Sequence, residues 1–128
     1  MNIKDKYKVK VSVQTAYQAD QSNPTAPYFF FSYTIAIENH HNNPVKLLSR
    51  FWEIWDPGSE NHFVEGEGVV GKQPTIEPGE DFQYSSFCHL RSPFGKMEGY
   101  YTFEDQITGE TFFISVPALW FQYPIGLN

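Results

Sequence analysis

The sequence has a single cysteine, Cys88, among its 128 residues. One thiol cannot close an internal disulfide, so a disulfide scaffold is excluded. Nor does any apolar run approach the roughly 18 to 20 residues of a membrane-spanning helix, and the chain by itself is not expected to be a transporter. The opening stretch, MNIKDKYK, has no apolar segment behind its basic residues, so a cytoplasmic protein without a leader is expected. No window of ten or more residues spaces its apolar positions as a helix would. Internal repeats, low-complexity segments and linkers are also lacking, and the length fits one domain. The familiar reactive spacings are missing too: there is no HxH, HxxxH or CxxC, no GxSxG and no phosphate loop. No catalytic residue, metal-ligand set or cofactor is therefore expected.

Aromatic residues are abundant. Twelve Phe, eight Tyr and three Trp can fill a core and still leave several rings at the surface. The net charge of −6 is unevenly spread. Lys4, Lys6, Lys8 and Lys10 stand against the lone Asp5, while the rest of the chain is strongly acidic. An acidic body argues against nucleic-acid binding, which needs a basic face. The lysines alternate with Val9, Val11 and Val13, which suits the wet face of a first strand, where lysines also oppose edge-to-edge association.

Period-2 patterning runs through the chain. Strands are expected over Tyr7 to Tyr17 and Tyr28 to Ile37, the second with Phe29, Phe31, Tyr33, Ile35 and Ile37 facing inward. A third is expected from Val45 to Asp56. There Leu47 and Leu48 are adjacent, and the apolar parity changes before Trp52 and Ile54, so a bulge near Ser49 is predicted. Further candidates are His62 to Val70, Asp81 to Leu90, Lys96 to Glu104, Glu110 to Val116 and a short Trp120 to Tyr123. Seven or eight strands at spacings of about 10 to 15 residues predict an all-β sandwich or barrel.

Gly66, Gly68 and Gly71 spell GxGxxG in the string GEGVVG. The dinucleotide-fold reading needs a strand on one side and a helix on the other. Pro74 follows too soon, and Val69 and Val70 favour strand. Two readings stay open: a bulge or tight bend beside a strand, or a nest of backbone amides for a small anion. Among the remaining chemistry, His40 and His41 fit a turn, and neighbours on a strand point apart, so Cys88 and His89 are not expected to pair. Cys88 is expected to be a small buried apolar side chain. The pairs Glu80–Asp81 and Glu104–Asp105 are expected to be solvated charges. With Trp52 pointing inward, Phe51 and Trp55 point outward, and Trp120, Phe121 and Tyr123 cluster near the end of the chain. These aromatics suit either partner contacts or a second small core.

Several segments resemble the ApaG family. They are LLSRFWEIWD (47–56), GEGVVGKQPTIEPGEDFQYSS (66–86) and SPFGKMEGYYTF (92–103), with Gln21-Ser22, the VPALWF segment and the terminal Leu127-Asn128 in agreement. The resemblance spans almost the whole chain. It implies an immunoglobulin-like or fibronectin type III-like β-sandwich of seven to eight strands, a link to cobalt resistance and magnesium efflux, and a role in protein–protein interaction. It also places the family's glycine motif, likened to a pyrophosphate-binding motif, on Gly66, Gly68 and Gly71, and carries over no catalytic residue. Two positions depart from the family pattern. Phe51 follows Arg50 where His is common, and Phe87 stands where Gly is common. The resulting expectation is a non-catalytic binding or regulatory domain acting through an unidentified protein partner. The alternative is a small-anion, pyrophosphate or nucleotide-binding protein, a hydrolase among them, using the glycine loop. Strand edges and exposed aromatics offer two routes to a homodimer.

Overall fold

A computed structural model describes residues 7–124. Among them are eight strands: β1 (Val9–Tyr17), β2 (Phe29–Asn39), β3 (Val45–Trp55), β4 (His62–Glu67), β5 (Thr75–Ile76), β6 (Asp81–Leu90), β7 (Phe94–Asp105) and β8 (Thr111–Gln122), with one short 3₁₀ turn at Ala19–Gln21. They form two antiparallel sheets, ordered β1-β2-β6 and β4-β3-β7-β8, with β5 also paired to β3. In immunoglobulin lettering this is A-B-E against C′-C-F-G. The sandwich expected from the period-2 pattern is therefore present. No helix is long and apolar enough to cross a membrane among the described residues.

The alternation of β2 dictates its orientation. Phe29, Phe31, Tyr33, Ile35 and Ile37 are all buried, and the residues between them are partly exposed. Burying a side chain such as Phe31 or Ile35 contributes about 1.5 to 3 kcal/mol, so a one-residue slip of this strand would forfeit the whole set. In β3 the register with β7 shifts between Leu47 and Ser49. Val45 and Leu47 face inward before the shift, and Trp52 and Ile54 face inward after it. The predicted bulge is there, and it also turns Arg50 to the inner side.

The strands depart from the sequence expectation by a residue or two at several ends and more widely in four places. The first strand begins at Val9, because Lys8 takes a positive φ of 48°; Lys4 and Lys6 lie outside the described residues. β4 stops at Glu67 rather than Val70, where the chain turns back on itself. The two expected C-terminal strands are one, β8, carrying Pro117 in its interior. A register shift between Met97 and Gly99 sets Pro117 and Ala118 against the single Glu98, with Met97 paired to Leu119 and Gly99 to Val116. Pro117 thus falls at an irregularity on an edge strand, where a missing N–H is tolerated. β5, two residues long, is too short to leave a periodic signal.

The two long sides of the sandwich differ. On one, β1 lies against β8, and the Thr15 hydroxyl donates to the Trp120 carbonyl at 2.8 Å. On the other, the edge strands β4 and β6 stand apart and leave a cleft between the sheets.

Candidate binding surfaces: an inter-sheet cleft and an aromatic sheet face

The glycine segment borders the cleft. Gly66 sits in β4 opposite Arg50, and a Cβ there would lie 3.0 Å from Arg50 Nη1. Its bare backbone lets the arginine side chain cross β4. Arg50 Nη1 then donates to the carbonyls of Gly68 at 2.8 Å and Glu67 at 3.2 Å. Gly68 has φ +62°, and a Cβ there would fall 2.0 Å from the Lys72 carbonyl oxygen. Val69 and Lys72 exchange both backbone hydrogen bonds, at 2.8 and 2.9 Å, around Val70 (φ 43°) and Gly71 (φ 79°). This is a two-residue hairpin turn with both central residues left-handed. A β-branched residue at such a φ is strained.

Gly66, Gly68 and Gly71 thus serve a close side-chain crossing, a backbone contact and a tight turn. The amides of Gly68, Val69 and Lys72 all donate to backbone carbonyls. What the segment presents to its surroundings is the arginine it positions.

The cleft encloses about 360 Å³. Trp52, Ile54, Val64 and Met97 supply apolar wall, while Tyr33, Tyr84, Ser86 and Arg50 supply polar groups. The hydroxyls of Tyr84 and Tyr101 are hydrogen-bonded to each other, and burial raises the pKa of Tyr33, Tyr84 and Tyr101. All three keep their hydroxyl proton at neutral pH.

Cys88 lies at the same wall, buried as expected, while His89 points to solvent. Burial pushes the Cys88 thiol up to about 12, so it is a thiol, not a nucleophilic thiolate, near neutrality. In native protein at pH 8 we expect Cys88 to react with a disulfide reagent at least 100-fold more slowly than after unfolding in guanidinium, measured by absorbance of the released thiolate. Comparable rates would show an accessible thiolate.

At the opposite end of the fold, the expectation for Asp105 fails. It is buried, at 3% exposure, rather than solvated. Its carboxylate accepts from Asn43 Nδ2, from the amides of Ile107 and Thr108, and meets His41 Nε2 at 3.0 Å. Asp105 caps the β7–β8 turn and ties it to the turn after β2, where Asn39 Nδ2 donates to the carbonyls of Asn43 and Ile76. His40 points away, near Glu38. The His40–His41 pair is therefore in a turn, as expected, and the buried acid beside it is structural. No group of three or more His, Cys, Asp or Glu capable of holding a metal is found among the described residues.

The outer face of the larger sheet is the second surface. Phe63 (β4), Phe51 (β3), Tyr100 (β7) and Phe113 (β8) form a row across all four strands, with successive ring centroids 5.8, 5.3 and 5.3 Å apart. Phe63 and Phe113 are 60% and 63% exposed. Trp55 packs on Phe94 at 5.9 Å, and Lys96 Nζ lies 5.4 Å from the Trp120 ring. Of the expected surface aromatics, Phe51, Trp55 and Trp120 are on this face. Phe121 is buried and Tyr123 packs against Tyr17 and Phe29, so these two belong to the core. Phe63, Phe94, Tyr100 and Phe113 were not singled out from the sequence, although the odd–even parity of β4 and β8 carries the signal for two of them.

Comparison with known proteins agrees with this architecture. The sequence profile of the ApaG domain matches residues 19–105. A protein named ApaG from Enterobacter sp. (strain 638) is 42% identical over 124 residues, covering 97% of this chain and 98% of the relative. An ApaG of Thiobacillus denitrificans is 48% identical over 96 residues, covering 75% of this chain and 76% of its own. A crystal structure from Bordetella pertussis, solved under the name ApaA, superposes with a TM-score of 0.88 at 36% identity, covering 93% of this chain and 96% of that one. The chain belongs to the ApaG family.

Proposed function

We propose that this chain is a non-catalytic protein-binding domain whose contact surface is the outer face of the β4-β3-β7-β8 sheet. The observation that carries the reading is the row Phe63–Phe51–Tyr100–Phe113, four rings each packed against the next on a solvent-facing sheet. Contiguous exposed aromatics are characteristic of partner anchors. The charges around them give the partner's sign. Glu53 and Glu98 stand directly opposite one another in register, a like-charge cross-strand pair that disfavours the sheet. Glu65 lies beside Phe51, and Lys96 is the cation that faces Glu98, at 3.3 Å. A partner bringing arginine or lysine would relieve that repulsion and stack its cations on the rings. The link to cobalt resistance and magnesium efflux that the ApaG resemblance implies would then run through such a partner.

The test is the double variant Phe63→Glu, Phe113→Glu. Both rings are outside the core, so its unfolding midpoint should stay close to that of the parent. Cross-linked capture of a basic partner from the native host should fall at least fivefold, and recovery should weaken with salt. Undiminished capture by the variant, or nucleotide turnover by the pure protein, would overturn the proposal.

A further inference from the structure

We infer that the inter-sheet cleft is a binding site for a small amphipathic organic anion, with the anionic group on Arg50 and the apolar body against Trp52, Ile54 and Met97. The first argument is charge. The sequence carries fifteen Asp and Glu against nine Lys and Arg, yet among the described residues no carboxylate lines the cleft, and the permanent charge on its wall is that of Arg50. His62 and His89 stand at the same opening. A concavity free of acids in an acidic protein selects against cations and favours an anion.

The second argument is the way Arg50 is held. A guanidinium carries five N–H donors. Nη1 is used on the Glu67 and Gly68 carbonyls, while Nε and Nη2 have no partner among the described residues and are not buried. The side chain is therefore fixed by one nitrogen and leaves its other donors for a carboxylate, the geometry guanidinium recognises best. Gly66 exists in this position to let it pass, and Val70 takes a strained left-handed backbone at the same opening. Strain of this kind collects where a site must be shaped.

The third argument is composition. Apolar walls with a few convergent polar groups are typical of small-molecule sites. Trp52, Ile54, Val64 and Met97 provide the walls, and Tyr33 and Tyr84 provide neutral polar groups beside the cation. A volume of about 360 Å³ is at the small end of such sites and suits a ligand of roughly ten to fifteen non-hydrogen atoms. A bare inorganic anion would leave the apolar wall unused.

The experiment uses 2-naphthoate as probe, with neutral 2-naphthamide and inorganic pyrophosphate as controls, on the full chain. Binding is followed by calorimetry and by ¹H–¹⁵N shift mapping. 2-Naphthoate should shift the amides and the Trp52 indole around the cleft saturably in the submillimolar to millimolar range. 2-Naphthamide should bind at least tenfold more weakly, and pyrophosphate should neither bind the cleft nor compete. Arg50→Gln should lose tenfold or more for the acid and little for the amide, while Arg50→Lys should retain part of the preference. The acid-to-amide ratio on the unmutated chain keeps the inference testable if an Arg50 variant fails to fold. Equal affinity for acid and amide, shifts only outside the cleft, or displacement by pyrophosphate would each overturn it.

Discussion

Replacing Gly99 by alanine is expected to lower the unfolding free energy by about 3 kcal/mol or more, the upper range of over-packing costs. Gly99 pairs with Trp52 across β3 and β7. A Cβ at this position would lie 1.8 Å from the Phe51 carbonyl oxygen and 3.0 Å from Cε3 of the Trp52 indole. Neither group can move independently. The carbonyl belongs to the central β3 ladder, and Trp52 is a core residue packed edge-on to Tyr101. The strand pair must part, or the indole must leave its place. Urea unfolding measures the loss. Gly109→Ala is the control, since Gly109 has a positive φ but open space, with nothing within 4 Å, where a Cβ would stand, so its cost should stay near about 1 kcal/mol. Equal midpoints for the two variants would show that β3 and β7 accommodate the methyl group.

The Asp105→Ala variant should be the other severe case, losing about 3 kcal/mol. Burial alone would push the Asp105 carboxyl up. Donors from Asn43, Ile107, Thr108 and His41 outweigh it and hold the group well below its ordinary range. The folded pKa is therefore below the unfolded one. The associated stability is fully present above the unfolded value of about 4 and is lost progressively as pH falls below it, toward the folded value. Thermal melts between pH 7 and pH 2 should show this acid limb in the parent chain. The Asp105→Asn variant keeps the shape but cannot ionise, so it should begin less stable at pH 7 and show a flatter limb. An unchanged limb in Asp105→Asn would assign the acid sensitivity to other carboxylates.

These two positions show why some of the molecule was legible in the sequence and some was not. Asp105 follows Glu104 at the end of a strand pattern, and adjacent acids at a loop edge are usually solvated. Its burial depends on Asn43 and His41, more than sixty residues away. Gly99 falls within a predicted strand, and nothing local distinguishes it from a weak strand glycine. Its role becomes visible when Trp52 is laid over it.

The glycine motif follows the same logic. The string GEGVVG permits a bend, a bulge or an anion nest, because each needs small residues and unusual φ. Pairing β4 with β3 places Arg50 over Gly66, the Leu48 carbonyl takes the Gly68 amide, and the hairpin turn commits those of Val69 and Lys72. The aromatic face is likewise a product of pairing. Period 2 gives the outward parity of Phe51, but Phe63, Tyr100 and Phe113 come from three other strands.

The sequence by itself determined the β class, the inward set of β2, the bulge near Ser49 with Trp52 turned inward, and the buried state of Cys88. Those features depend on alternation along one strand, which is local. The tertiary structure decided which strands are neighbours, which edges stay open, where Arg50 reaches and which rings touch. Those depend on contacts between residues far apart in the chain, and neither periodicity nor composition encodes the pairing of one strand with another.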